Sequence, residues 1–158
     1  MSAADKLMEF LVPQLDTEIH IGPWLAIDQE RIDRFAAATG DVQWIHTDPE
    51  RARRESPYGA TIAHGFLTLS LLPYLTESNH PDFFPRNYPG MRLRVNYGLN
   101  RLRFPTPVVV GSRIRAHTHL LATERIEGGV QITYRITVEI EGGAKPACVV
   151  ESLYRVYE

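Results

Sequence analysis

His64-Gly65-Phe66-Leu67-Thr68-Leu69-Ser70-Leu71-Leu72, running on into Pro73-Tyr74-Leu75, decides the fold, because it is apolar on nearly every side of a helix. A surface helix carries one apolar stripe, whereas a helix apolar all round must be covered all round. The pattern predicts a buried helix over 64–77. Pro73 implies a kink or an earlier end, since proline has no N–H and its ring crowds the preceding turn. The cover comes later in the chain. After Pro85 the apolar period changes from 3.6 to 2, and 91–104, 112–124, 130–141 and 146–157 alternate, most clearly from Gln131 to Ile140. Turn signals at Pro105–Gly111, Gly128-Gly129 and Gly142-Gly143 separate these runs into consecutive antiparallel strands. One buried helix followed by a meander of long strands predicts an α+β fold with an antiparallel sheet wrapped around that helix. Such a sheet has edges that need pairing, which predicts a dimer.

Upstream, 24–27 reads as a short strand. Asp28 is a good N-cap for a helix over 29–39, where Ile32, Phe35, Ala36 and Thr39 share a face and Gly40 supplies the stop. Asp48-Pro49 starts a short helix to about Glu55, and Ser56-Pro57-Tyr58-Gly59 breaks the chain. No repeat, linker or low-complexity tract divides the 158 residues, so residues 1–158 are expected to form one domain. A hydrophobic content of 44% supplies a core without disulfides, and the lone Cys148 suits a reducing compartment. Met1 to Pro13 lacks the basic start and apolar middle of a signal peptide. The apolar run Phe66–Leu75 is too short to span a bilayer. A cytoplasmic protein with no membrane partner is expected.

Thr39-Gly40-Asp41-Val42-Gln43-Trp44-Ile45-His46 carries the chemistry. Asp41 and His46 stand five apart, and a carboxylate with an imidazole is the usual pair for moving protons near neutral pH. Each alone has a plain reading, Asp41 as a turn residue and His46 as a surface histidine. Eighteen residues on, His64-Gly65 opens the apolar helix, and such a start offers free backbone N–H groups to developing negative charge. Charge is also uneven. Phe83 to Thr123 holds seven arginines and no acid, so it is +7 within a chain of net −2, leaving −9 for the rest. A basic zone in an acidic chain points to an anionic ligand, either a phosphorylated cofactor or nucleic acid. Few aromatics interleave the zone, so base stacking is the weakest reading and no nucleic-acid partner is expected. His117 and His119 share a strand face, but no carboxylate or third histidine lies near them in sequence. They are expected to be a wet pair, and no metal site is expected. Phosphate loops and Gly-x-Ser-x-Gly nucleophile motifs are missing.

These residues resemble a known family. Phe35, Gly40-Asp41, Ile45-His46, Asp48-Pro49, Ala52, His64-Gly65, then Arg103-Phe104-Pro105-Thr106-Pro107-Val108 and Gly111 follow the pattern of MaoC-like dehydratases, the (R)-specific enoyl-CoA hydratases with the hot-dog fold. The resemblance covers about 20–157. Where the commonest pattern has Asn-Pro between the pair, this chain has Gln43-Trp44, a variant similar to a subgroup related to nodulation protein N. The resemblance implies reversible hydration of a trans-2-enoyl-CoA to the (R)-3-hydroxyacyl-CoA in fatty-acid metabolism. Asp41 and His46 would hold one water, and the Gly65 amide would face the thioester oxygen. Gln43 would orient the water or Asp41, and His64 would shape the turn before the helix. Arg101 and Arg103, two apart on a strand, become candidates for coenzyme A phosphates, with Tyr97-Gly98 marking a bulge or a close ligand approach. Arg92, Arg94, Arg113 and Arg115 are expected on a solvated or cross-strand face. The expected partners are the acyl-CoA substrate and a second copy of the chain, with no cofactor beyond the coenzyme A of the substrate. Three rivals share the fold or ligand: an acyl-CoA thioesterase, an acyl-carrier-protein dehydratase, and a non-catalytic acyl-CoA or RNA binder.

Overall fold

Period-2 sequence becomes long strands wherever one face is covered, and four such strands dominate the computed structural model, which describes residues 1–158. They are β3 (Leu93–Arg103), β4 (Arg113–Ile126), β5 (Gly129–Ile140) and β6 (Cys148–Tyr157). Two short strands precede them, β1 (Glu18–Ile21) and β2 (Leu25–Ala26). All pairings are antiparallel, in the order β1-β4-β5-β6-β3, with β2 also on β4. Inward positions alternate as the pattern requires, for example Ile114, Ala116 and Leu120 on β4 and Ile132, Ile136 and Val138 on β5, each at 2% exposure or less. The edge strand β3 is different. Its register shifts between Asn96 and Gly98 and again between Asn100 and Arg103, and most of it is exposed.

The apolar segment packs into the core against the sheet as two short helices, α5 (Gly65–Ser70) and α6 (Leu72–Leu75). They part at Leu71, where Pro73 enters the next turn with no N–H to continue the ladder. The helix therefore ends at Leu75, short of the expected 77. Leu67, Leu72 and Leu75 are buried, and each such leucine contributes about 2 kcal/mol of burial. The segment is not covered all round, as its composition suggested. Phe66 is 63% exposed and Tyr74 45%, so one apolar face stays open.

Helix α2 (Gln29–Thr39) starts at Asp28, whose carboxylate accepts from the Arg31 N–H at 2.9 Å, and stops at Gly40 in the left-handed region at φ 80°. A one-turn helix, α3 (Trp44–Thr47), leads into α4 (Pro49–Glu55), capped by Asp48. The sequence reading missed α1 (Ala3–Leu11), α3, β1 and α7 (Phe83–Asn87). For α1 the signal was present: Ser2 and Asp5 close a capping box. Ala4, Leu7 and Leu11 join a single core cluster of 26 buried residues that runs on to Val156. No helix is long and apolar enough to cross a membrane.

Candidate active site

Three strands of backbone hydrogen bonding bring the distant site residues together. Asp41 sits in the turn after α2, His46 on α3, and His64 at the N-cap of α5. Between them, the Ile62 N–H donates to the Ile45 carbonyl at 3.0 Å and the Ala63 N–H to the Val108 carbonyl at 2.8 Å. The Thr61 carbonyl accepts from the Val110 N–H at 2.9 Å. Gln29, at the first position of α2, adds a side-chain tie. Its amide donates to the His46 carbonyl at 2.7 Å, and its oxygen accepts from the Thr61 hydroxyl. Nothing but a glutamine at a helix start announced that role in the sequence.

The outcome is a compact trio. Side-chain ligand atoms of Asp41, His46 and His64 all lie within 4.8 Å of one another. The two imidazoles stack, 3.8 Å between ring centroids at 24°. His46 Nδ1 lies 2.7 Å from the Ile62 carbonyl, and a carbonyl only accepts, so Nδ1 carries the hydrogen. In the neutral ring that leaves Nε2 with a lone pair and no protein partner. Burial holds the His46 pKa below the ordinary histidine value of 6.5, and the neighbouring His64 ring adds to this; the Ile62 carbonyl and Asp41 pull the other way. A lowered pKa and a free Nε2 favour the neutral ring near pH 7. His64 donates from Nε2 to the Asp41 carbonyl at 2.9 Å, and its buried Nδ1 has no partner. The structure so brings His64 into the site itself, and its ring fixes the backbone of Asp41. Asp41, His46 and His64 are also three residues whose side chains could together hold a cation.

Gly65 follows directly. Leu67 and Thr68 donate to the His64 carbonyl, so the Gly65 and Phe66 amides precede the first intrahelical donor and have no intrahelical acceptor. A Cβ on Gly65 would stand 2.9 Å from the Phe104 ring, which explains glycine there: Phe104 lies over the helix start. Gln43 is exposed, and its carbonyl accepts the His46 N–H at 2.9 Å while its side chain makes no protein hydrogen bond. Trp44 turns away toward α4, under the Arg51 guanidinium at 4.4 Å.

The arginines are sorted by the sheet. Arg113 and Arg115 pair across strands with Glu141 and Glu139, as expected for a cross-strand face. Arg94 departs from that expectation and turns inward, with Phe83 and Tyr154 rings beneath its guanidinium. Arg101 and Arg103 are exposed, but the bulge between Asn100 and Arg103, with Arg101 at φ 51°, breaks the alternation that placed them on one side. Gly98 lies at the other register shift, so the bulge reading of Tyr97-Gly98 holds. His117 is not the wet residue expected. The fold brings Glu18 to its Nδ1 at 3.0 Å and Glu139 to its Nε2 at 2.7 Å.

The architecture is a hot-dog fold, a sheet around a central helical segment, with a carboxylate and a free imidazole nitrogen near the helix start. The chain is matched over residues 11–141 by the family described as MaoC like domain. It is 53% identical over 133 residues to 3-hydroxyacyl-thioester dehydratase Z of Mycobacterium tuberculosis, covering 84% of this chain and 83% of that protein. It is 44% identical over 136 residues to nodulation protein N of Rhizobium leguminosarum bv. viciae, covering 85% and 81%. Among solved structures, a monoamine oxidase regulatory protein from Archaeoglobus fulgidus matches with a TM-score of 0.75 at 24% identity over 92% of each chain. An (R)-hydratase from A. caviae involved in PHA biosynthesis matches at 0.61 and 24% over 86% of this chain and 96% of that one, and both show the shared fold. The protein belongs to the MaoC-like dehydratase family.

Proposed function

We propose that the protein reversibly hydrates a trans-2-enoyl-CoA to the (R)-3-hydroxyacyl-CoA, as a homodimer serving fatty-acid metabolism. The free His46 Nε2 beside the Asp41 carboxylate carries this reading. Two acceptors within 4.8 Å can both bond one water. As its oxygen adds to C3, one of the pair takes the proton that water gives up, the pair passes that proton on to C2, and the charge on the thioester oxygen is met by the Gly65 N–H. Atoms and electrons balance with water alone, so the proposed reaction calls on no redox cofactor. The relative named a 3-hydroxyacyl-thioester dehydratase supports the reaction class, and that name leaves the thiol carrier open. Exposed Arg101 and Arg103 favour the phosphates of coenzyme A. Carrier and chemistry are tested together by following loss of the conjugated thioester with trans-2-enoyl-CoA and with the same acyl group on acyl-carrier protein. Chiral analysis of the product should give the (R) alcohol. Faster turnover on the carrier protein would reassign the substrate, and release of free thiol would make the protein a thioesterase.

A further inference from the structure

Away from the Asp41–His46 pair, a cavity of about 370 Å³ opens between the sheet and the segment from Thr76 to Tyr88. Its buried side-chain groups are hydroxyls with a guanidinium beside them, whereas its carboxylates are exposed. Tyr88 and Tyr134, 1% and 7% exposed, bond to each other through their hydroxyls at 3.0 Å. Two hydroxyls bring two hydrogens and the bond between them uses one. Thr118, 6% exposed, also lines the cavity, and its buried hydroxyl has no partner. Arg94 supplies the charge. Its guanidinium lies 4.9 Å from the Tyr154 ring centre and 5.4 Å from that of Phe83, and donates to the Ser78 hydroxyl at 3.2 Å. It forms no ion pair, unlike Arg113 and Arg115 on the same sheet.

A buried donor left unmatched costs free energy, and a charged one costs more. The hydroxyls and the guanidinium can donate together to a carboxylate, which also brings the counter-charge that Arg94 lacks. The acids of the cavity are exposed and engaged: Glu77 lies 3.0 Å from His20 and Asp82 3.8 Å from His80. They disfavour a second negative charge on the ligand, so a monoanion fits better than a phosphate. Ile19, Ile136 and the faces of Phe83 and Tyr154 provide apolar wall for a compact body. We propose that this cavity is a second ligand site that takes a compact monocarboxylate, its oxygens on Arg94 and on the Tyr88–Tyr134 and Thr118 hydroxyls.

The test is calorimetric titration and thermal melting of the full chain with acetate, butyrate and benzoate, and with neutral benzamide as control. At least one carboxylate should bind once per chain, and benzamide should not. Arg94→Met should weaken that binding at least tenfold. Thr118→Val has a more telling signature. It should raise the melting temperature of the free protein by removing an unmatched hydroxyl, yet weaken carboxylate binding about fivefold. Asp41→Asn should leave the binding unchanged. The site is refuted if none of the three carboxylates binds, or if benzamide binds as well as benzoate. It is equally refuted if Thr118→Val leaves affinity unaltered, a readout that stands even where Arg94→Met fails to fold. Loss of binding in Asp41→Asn would place the ligand at the catalytic pair instead.

Discussion

His46 has one nitrogen spent and one free, and that division suits it to the base role proposed above. The Ile62 carbonyl fixes the hydrogen on Nδ1, and burial keeps the ring neutral below its ordinary pKa of 6.5. Activity should therefore fall on the acid side only as pH drops through a value below 6.5, which a pH profile of kcat/KM will read. His46→Gln and Asp41→Asn should each lower kcat at least about a hundredfold in the enoyl-CoA assay, with the circular dichroism spectrum retained. Gly65 makes a second residue-level case. A methyl there meets the Phe104 ring at 2.9 Å, so Gly65→Ala should cost about 1–3 kcal/mol of stability through overpacking. In the Phe104→Ala background the same change should cost much less, and a double-mutant cycle by urea unfolding measures that coupling.

At the scale of elements, β1 is four residues long and is held to the sheet partly by side chains. His117 on β4 bridges Glu18 of β1 and Glu139 of β5, and Arg115 also binds Glu139 at 2.7 Å. Burial opposes protonation of His117, but the two carboxylates outweigh it and raise its pKa above 6.5. Hydrogen bonds from His117 and Arg115 hold the Glu139 carboxyl below its usual range. A raised folded pKa stabilises fully below 6.5 and loses that contribution as pH rises through the folded value. The deficit in melting temperature of His117→Gln should accordingly be larger at about pH 6 than at about pH 8.5. His117 and Glu18 are 99 positions apart, so no local pattern could have shown this clamp. The opposite holds for α2, whose cap, apolar face and glycine stop are all local, and it was legible residue by residue. α3 was not legible, since four residues of no clear period give periodicity nothing to act on.

Across the whole molecule, one edge of the sheet is unfinished. Leu93, Val95, Tyr97 and Leu99 on β3 are 43–56% exposed, and Phe66 and Phe104 beside the helix start are exposed as well. An apolar edge strand next to an open site is what a second copy would cover. If the proposed homodimer forms over this edge, Val95→Glu should yield monomers in sedimentation velocity and lower turnover, because Phe66 and Phe104 would then stay in water. The sequence by itself determined the sheet, the central helical segment and the Asp41–His46 pair, because capping, period and motif spacing act over a few residues. Only the tertiary structure decided which imidazole nitrogen is free, that His64 stacks on His46, and that Arg94 turns inward to a donor-rich cavity. Those facts depend on contacts between residues far apart in the chain, such as Ile62 with His46 and Thr118 with the Tyr134 strand, and only packing of the helices and strands together creates them.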